Sequence, residues 1–103
     1  MEIEFHNKKI ETLYTTGKSS KLKLDQQIVQ SFFETVAILE SAKDIHDLWN
    51  SPGLHFKKLP GYTNRYSARL SKKWRLEMSL DWQNEQMTVG IVGLEDISNH
   101  YGG

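Results

Sequence analysis

Apolar residues recur at two different periods along this chain, and the change from one to the other divides it. Ile3 and Phe5 alternate with Glu2 and Glu4, the pattern of a short strand. Ile10, Leu13 and Tyr14 share one face of a short helix over 8–16, and Gly17 stands where a glycine ends a helix. Behind Asp25, a suitable N-cap, Ile28, Val29, Phe32, Phe33, Val36 and Leu39 follow at spacings of three and four. Asp44 predicts a further helical turn that buries Ile45, Leu48 and Trp49. Pro52-Gly53 then closes the helical half.

Beyond it the period is two. Leu54 and Phe56 alternate, and Pro60-Gly61 makes a turn. Tyr66, Ala68 and Leu70 then share one strand face while Arg65, Ser67 and Arg69 share the other. Trp74, Leu76, Met78, Leu80 and Trp82 alternate strictly with Arg75, Glu77, Ser79 and Asp81. After a turn at 83–86, residues 87–94 are apolar on both faces, as in a strand covered on both sides. Helices first and strands after, with one strand at the start, predict an α+β fold. The expected architecture is a single domain over 1–103. Its N-terminal strand and helices pack on one face of a twisted antiparallel sheet, and the three tryptophans belong to the core.

The middle hairpin carries the first sign of chemistry. If Leu70 and Trp74 both face the core, Ser71-Lys72-Lys73 is a three-residue loop. Arg69 then falls opposite Arg75, Ser67 opposite Glu77, and Arg65 opposite Ser79. Like charges directly opposed destabilise a sheet. An anion between the two guanidinium groups would resolve the conflict, because arginine presents a planar fork matched to phosphate; the alternative is a set of solvated sheet-face charges, with Arg75 paired diagonally to an acid such as Asp81.

Charge distribution sharpens this reading. The formal net charge is zero, yet residues 51–76 hold seven Lys/Arg (Lys57, Lys58, Arg65, Arg69, Lys72, Lys73, Arg75) and no acid. The segments on either side are net acidic. A basic run of this kind attracts phosphates locally although the whole molecule does not. With no cysteine, thiolate ligands, thiol nucleophiles and disulfides are excluded. His6, His46 and His55 are scattered without ligand spacing, so no metal and no cofactor is expected. A signal peptide and a membrane span are not predicted, and a soluble cytoplasmic chain is expected. The C-terminal segment gathers Glu95, Asp96, His100 and Tyr101 within seven residues. Among these a histidine is suited to acid–base work, and a tyrosine to proton donation or base stacking.

Several segments in order resemble the HigB branch of the RelE-like toxins of type II toxin–antitoxin systems. Leu13-Tyr14-Thr15-Thr16-Gly17-Lys18 resembles the aromatic-x-Thr-Gly-Lys segment of that family. Asp47-Leu48, Ser51-Pro52-Gly53-Leu54, Leu59 and Gly61 resemble its stretch from a D-L pair through P-G to L-x-G. Tyr66-Ser67-Ala68-Arg69-Leu70 and Trp74-Arg75-Leu76 resemble its aromatic-S-V-R-V and W-R-I strands. The last strand with Glu95-Asp96 resembles the strand before the family's Y-x-D-Y-H tail. Here Leu94 stands for the first tyrosine, Ile97-Ser98-Asn99 intervenes, and His100-Tyr101 is displaced and inverted.

The resemblance implies a RelE-like fold and a ribosome-dependent mRNA endonuclease that inhibits translation by metal-free transesterification through the ribose 2′-OH. It implies a HigA-like helix-turn-helix antitoxin as partner, the ribosome and mRNA as targets, and operator DNA only through the antitoxin. Carried over, Arg69 and Arg75 hold the scissile phosphate, and Lys18 is a second ligand or proton donor. His100 acts as base or acid with Asp96 or Tyr101 assisting. Lys57, Lys58, Arg65, Lys72 and Lys73 contact RNA. The alternatives are a ParE-like toxin that poisons gyrase on the same scaffold, and an inactive member that only binds antitoxin.

Overall fold

The computed structural model of the chain describes residues 1–18 and 21–99. Its elements are β1 (Ile3–Phe5), α1 (Lys8–Thr16), α2 (Gln26–Ser41), α3 (Ile45–Trp49), a single 3-10 turn (Pro52–Leu54), β2 (Lys57–Lys58), β3 (Arg65–Arg69), β4 (Arg75–Trp82) and β5 (Gly90–Ser98). The helices begin at side-chain caps that satisfy otherwise orphaned N–H groups. Asn7 accepts from Lys9 N at 2.9 Å, Asp25 from Ile28 N at 3.0 Å, and Asp44 from His46 N at 2.9 Å. Gly17 ends α1 in the left-handed region, φ 71°, with its N–H on Leu13 O at 2.8 Å. The end of α2 is met by the terminal ammonium of Met1, which donates to the carbonyls of Leu39, Glu40 and Ala42.

The five strands form one open sheet in the order β1-β5-β4-β3-β2. Four of them pair antiparallel in sequence order, but β1 lies parallel to β5, with Ile3 opposite Val92 and Phe5 opposite Leu94. The expected antiparallel sheet is therefore mixed. Physically, β1 and β5 are joined through all the intervening elements, and a connection that long lets a strand enter in either direction. Tyr66, Ala68, Leu70, Leu76, Met78, Leu80, Val92, Leu94 and Ile97 form a single buried cluster with Ile10, Leu13, Phe32, Val36, Leu39 and Leu48 of the helices. All three helices thus cover one sheet face, and the odd-numbered positions of β3 and β4 occupy the other.

Three local expectations change. Leu54 and Phe56 do not begin a strand: Pro52 starts a 3-10 turn, His55 is left-handed (φ 44°, ψ 48°), and only Lys57–Lys58 pairs with β3. Trp49 is not core; it is 47% exposed and sits edge-on against Phe56, whose other neighbour is the stacked ring of Tyr66. Trp74 and Trp82 are half-buried against the core.

The last strand also ends later than alternation predicts. Met78 pairs with Leu94 but Glu77 pairs with Asp96, so Glu95 is the extra residue of a β-bulge. One inserted residue restores the phase. Ile97 returns to the core face at 6% exposure and Ser98 falls opposite Arg75. Glu95 and Asp96 are therefore strand residues, not part of a tail. Among the described residues no helix is long and apolar enough to cross a membrane.

Candidate anion-binding site on the helix-free sheet face

The expected hairpin register holds at every position: Arg65 opposite Ser79, Ser67 opposite Glu77, and Arg69 opposite Arg75. The loop closes with the Leu70 N–H on Trp74 O at 2.9 Å, and Ser71 Oγ accepts from Trp74 N at 3.2 Å. Both arginines lie on the face away from the helices, but their surroundings differ. Arg75 is 8% exposed. Its Nε donates to Ser67 Oγ at 2.8 Å, and one terminal nitrogen reaches Ser67 O at 3.3 Å and also the carbonyl of His55. Its side chain lies across β3 and fastens the 51–56 segment to the sheet. Arg69 is half-buried, donating from Nε to Ser71 O at 3.2 Å, with a terminal nitrogen 3.4 Å from His55 Nε2.

His55 therefore touches both arginines, one through its backbone and one through its ring. Its left-handed backbone is a conformation a non-glycine residue rarely adopts. Here it turns the chain out of the 3-10 segment and sets the exposed imidazole beside Arg69. Among the described residues no carboxylate lies within ion-pair reach of Arg69. A planar guanidinium with a neutral backbone acceptor on one edge and an imidazole on another is chemically suited to an oxyanion.

The remaining expected residues divide. Lys57 pairs with Ser67 and so lies on the arginine face, exposed; Lys72 and Lys73 are exposed at the hairpin tip. Lys58 pairs with Tyr66 and falls on the opposite face. Arg65 does not extend the cationic cluster. It is paired with Glu77 at 3.3 Å and Glu95 at 4.0 Å, so its charge is already compensated. Lys18 follows Gly17 at the end of α1, whose buried Ile10 and Leu13 pack on the helical side of the sheet. Asp96 is exposed on β5, and its Oδ1 accepts from Ile97 N at 2.9 Å. His100 and Tyr101 lie outside the described residues.

The sequence reading missed a second polar cluster on the same face. His6 Nδ1 lies 2.6 Å from Glu95 Oε2, which also accepts from Ser79 Oγ at 2.7 Å, and Asn7 Nδ2 donates to Glu95 O at 3.0 Å. Glu4 Oε2 is 3.3 Å from His6 Nε2. Gly93 makes this possible, because a Cβ there would collide with the His6 ring and lie 2.8 Å from Ser79 Oγ. A glycine inside a strand, between Val92 and Leu94, was the available signal.

Hydrogen bonds to Glu95 and then Glu4 raise the His6 pKa above the ordinary 6.5. Burial pushes the Glu95 carboxyl upward, but hydrogen bonds from Ser79 and His6 and the charges of His6 and Arg65 outweigh it. Glu95 lies below the ordinary 4.5. The sign follows by linkage. The His6 contribution is complete below pH 6.5 and is lost as pH rises through its raised folded value. The Glu95 contribution is complete above pH 4.5 and is lost as pH falls through its lowered one. Both are intact between those limits. Because His6 is largely exposed, its share is under about 1 kcal/mol. The thermal midpoint of His6→Gln is thus expected below that of the parent at pH 6, with the gap closing by pH 8.5. A gap constant with pH would show that protonation plays no part.

No protein-family model matches the chain, and no curated protein matches it.

Proposed function

We propose that this chain is a HigB-type member of the RelE-like toxins that cleaves messenger RNA on the ribosome. The observation that carries the reading is the Arg69–Arg75 pair with His55 between them. It sits on the helix-free face of a hairpin drawn from a segment with seven cations and no acid. The ordered motifs that resemble the family support it independently.

In this reading the ribose 2′-OH attacks the adjacent phosphorus, the 5′-oxygen leaves and takes a proton, and a 2′,3′-cyclic phosphate remains. Arg69 holds a non-bridging oxygen and neutralises charge as it grows in the transition state. Arg75 acts from beneath, fixing the backbone that presents His55. Lys57, Lys72 and Lys73 supply the field that draws the phosphate backbone in. For proton transfer two imidazoles compete. His55 is already beside Arg69. His100 follows Ser98, which lies opposite Arg75, by two residues, with Asp96 or Tyr101 assisting. A HigA-like antitoxin with a helix-turn-helix domain is the proposed partner, connecting the chain to operator DNA indirectly.

The test is primer extension on a message bound to programmed ribosomes, with end-group analysis of the fragments. Cleavage that needs the ribosome and leaves a cyclic phosphate is expected. An intact message after prolonged incubation would reject the nuclease reading.

A further inference from the structure

Four residues along β3 from Arg69, on the same sheet face, Arg65 has a different companion. The ring of Tyr62 lies over it, with Arg65 Cζ 5.0 Å from the ring centroid. Tyr62 is 55% exposed, stands outside the buried core cluster, and forms no hydrogen bond among the described residues. Among the described residues its one ring contact is with the guanidinium beneath it.

That guanidinium is held from the side. Glu77 engages one terminal nitrogen at 3.3 Å and Glu95 approaches the other at 4.0 Å. Glu95 is anchored in turn by Ser79 and His6. One in-plane donor is thus hydrogen-bonded to Glu77, and the nearby Glu95 adds a second negative charge, so the guanidinium is already compensated and a phosphate approaching it would meet two carboxylates. An exposed aromatic ring over an immobilised, charge-compensated guanidinium suits a planar ligand and is poorly suited to an anion.

From this juxtaposition we infer that Tyr62, backed by Arg65, is a stacking platform for one nucleobase of the same single-stranded RNA whose phosphate is held at Arg69; the inference rests on the nuclease reading above. Four strand residues span about 13 Å, so the platform serves a base near the cut and not the nucleotide being cut. Stacking is tolerant of base identity because every base has a π face, and it works in concert with a cationic track that follows the backbone. The helix-free face then carries the two parts such a site needs, cations toward the Ser71-Lys72-Lys73 tip and an aromatic plate toward the loop that precedes β3.

Single-turnover cleavage of a ribosome-bound message, followed against protein concentration, tests this with Tyr62→Leu, Tyr62→Phe and Tyr62→Trp. Leucine keeps apolar bulk without a ring. It is expected to raise the half-saturating concentration about tenfold, with the maximal rate and the thermal midpoint close to the parent. Phenylalanine and tryptophan are expected to stay within about twofold of the parent. If leucine matches the parent, or if phenylalanine and tryptophan fail as leucine does, the platform is overturned while the nuclease reading stands. If the parent protein cleaves nothing, both fall together.

Discussion

Arg69→Ala is expected to slow cleavage of a ribosome-bound message a hundredfold or more, with the fold and the thermal midpoint nearly unchanged. The magnitude is that of one preorganised donor removed from a developing oxyanion, about 2.7–4 kcal/mol of transition-state stabilisation. The near-constant stability follows from what Arg69 does in the resting protein. It is half-buried, and its partners are the Ser71 carbonyl, which is beside the surface loop, and the exposed ring of His55. Both can be satisfied by water when the guanidinium is gone. The measurement is a single-turnover rate set beside a melting curve. A variant that melts and cleaves as the parent does would make Arg69 an ordinary surface charge.

Arg75→Ala is expected to act on both counts. Its guanidinium is 8% exposed and bonds to Ser67 Oγ, Ser67 O and the His55 carbonyl. Truncation leaves buried acceptors without a donor and opens space beneath β3. Together these cost about 2–4 kcal/mol. For a chain of this size the thermal midpoint falls by roughly 10–20 °C. Total stability of about 5–15 kcal/mol leaves most such molecules folded at room temperature. Activity falls further than stability explains, because the segment that presents His55 is released. Lysine at this position keeps the charge but, as a single ammonium on a flexible stem, cannot span the same acceptors; Arg75→Lys is expected to recover little of either loss. Urea titration separates the two contributions. An Arg75→Ala protein as stable as the parent would show that the bonds beneath β3 hold nothing in place.

The contrast between these neighbours marks where the sequence could and could not be read. Strict alternation in 65–82 fixed the hairpin register, because a slip of one residue would have turned Met78 and Leu80 to water. Register alone placed Arg69 opposite Arg75, but it is silent on depth. Arg75 is buried because the chain after Leu54 turns left-handed at His55 and offers it a carbonyl, and no periodicity announces that turn. The starts of α2 and α3 at Asp25 and Asp44 and the α2 stripe were legible for the opposite reason: they are local, set by residues within a turn or two of one another. Alternation stops at Leu94 because the next core residue, Ile97, lies an odd number of positions away. That odd spacing is itself the mark of a bulge, and it hid Glu95 as a partner of His6. The parallel seating of β1 was beyond a pattern argument, since alternation gives a strand's faces and not its direction.

That parallel seating has a consequence for the order of assembly. β2, β3, β4 and β5 meet through short connections, so their pairing is inexpensive in loop entropy and can form early. β1 must bring Ile3 beside Val92, across nearly the whole chain. Contacts of such wide separation are the slow ones in folding. β1 therefore has its partner far along the sequence, and until β5 is in place Ile3 and Phe5 have no ladder to join. Gly93, which admits His6, and the His6–Glu95 contact belong to this same late step. The bulge that phases the end of β5 is thus fastened only when β1 and β5 meet.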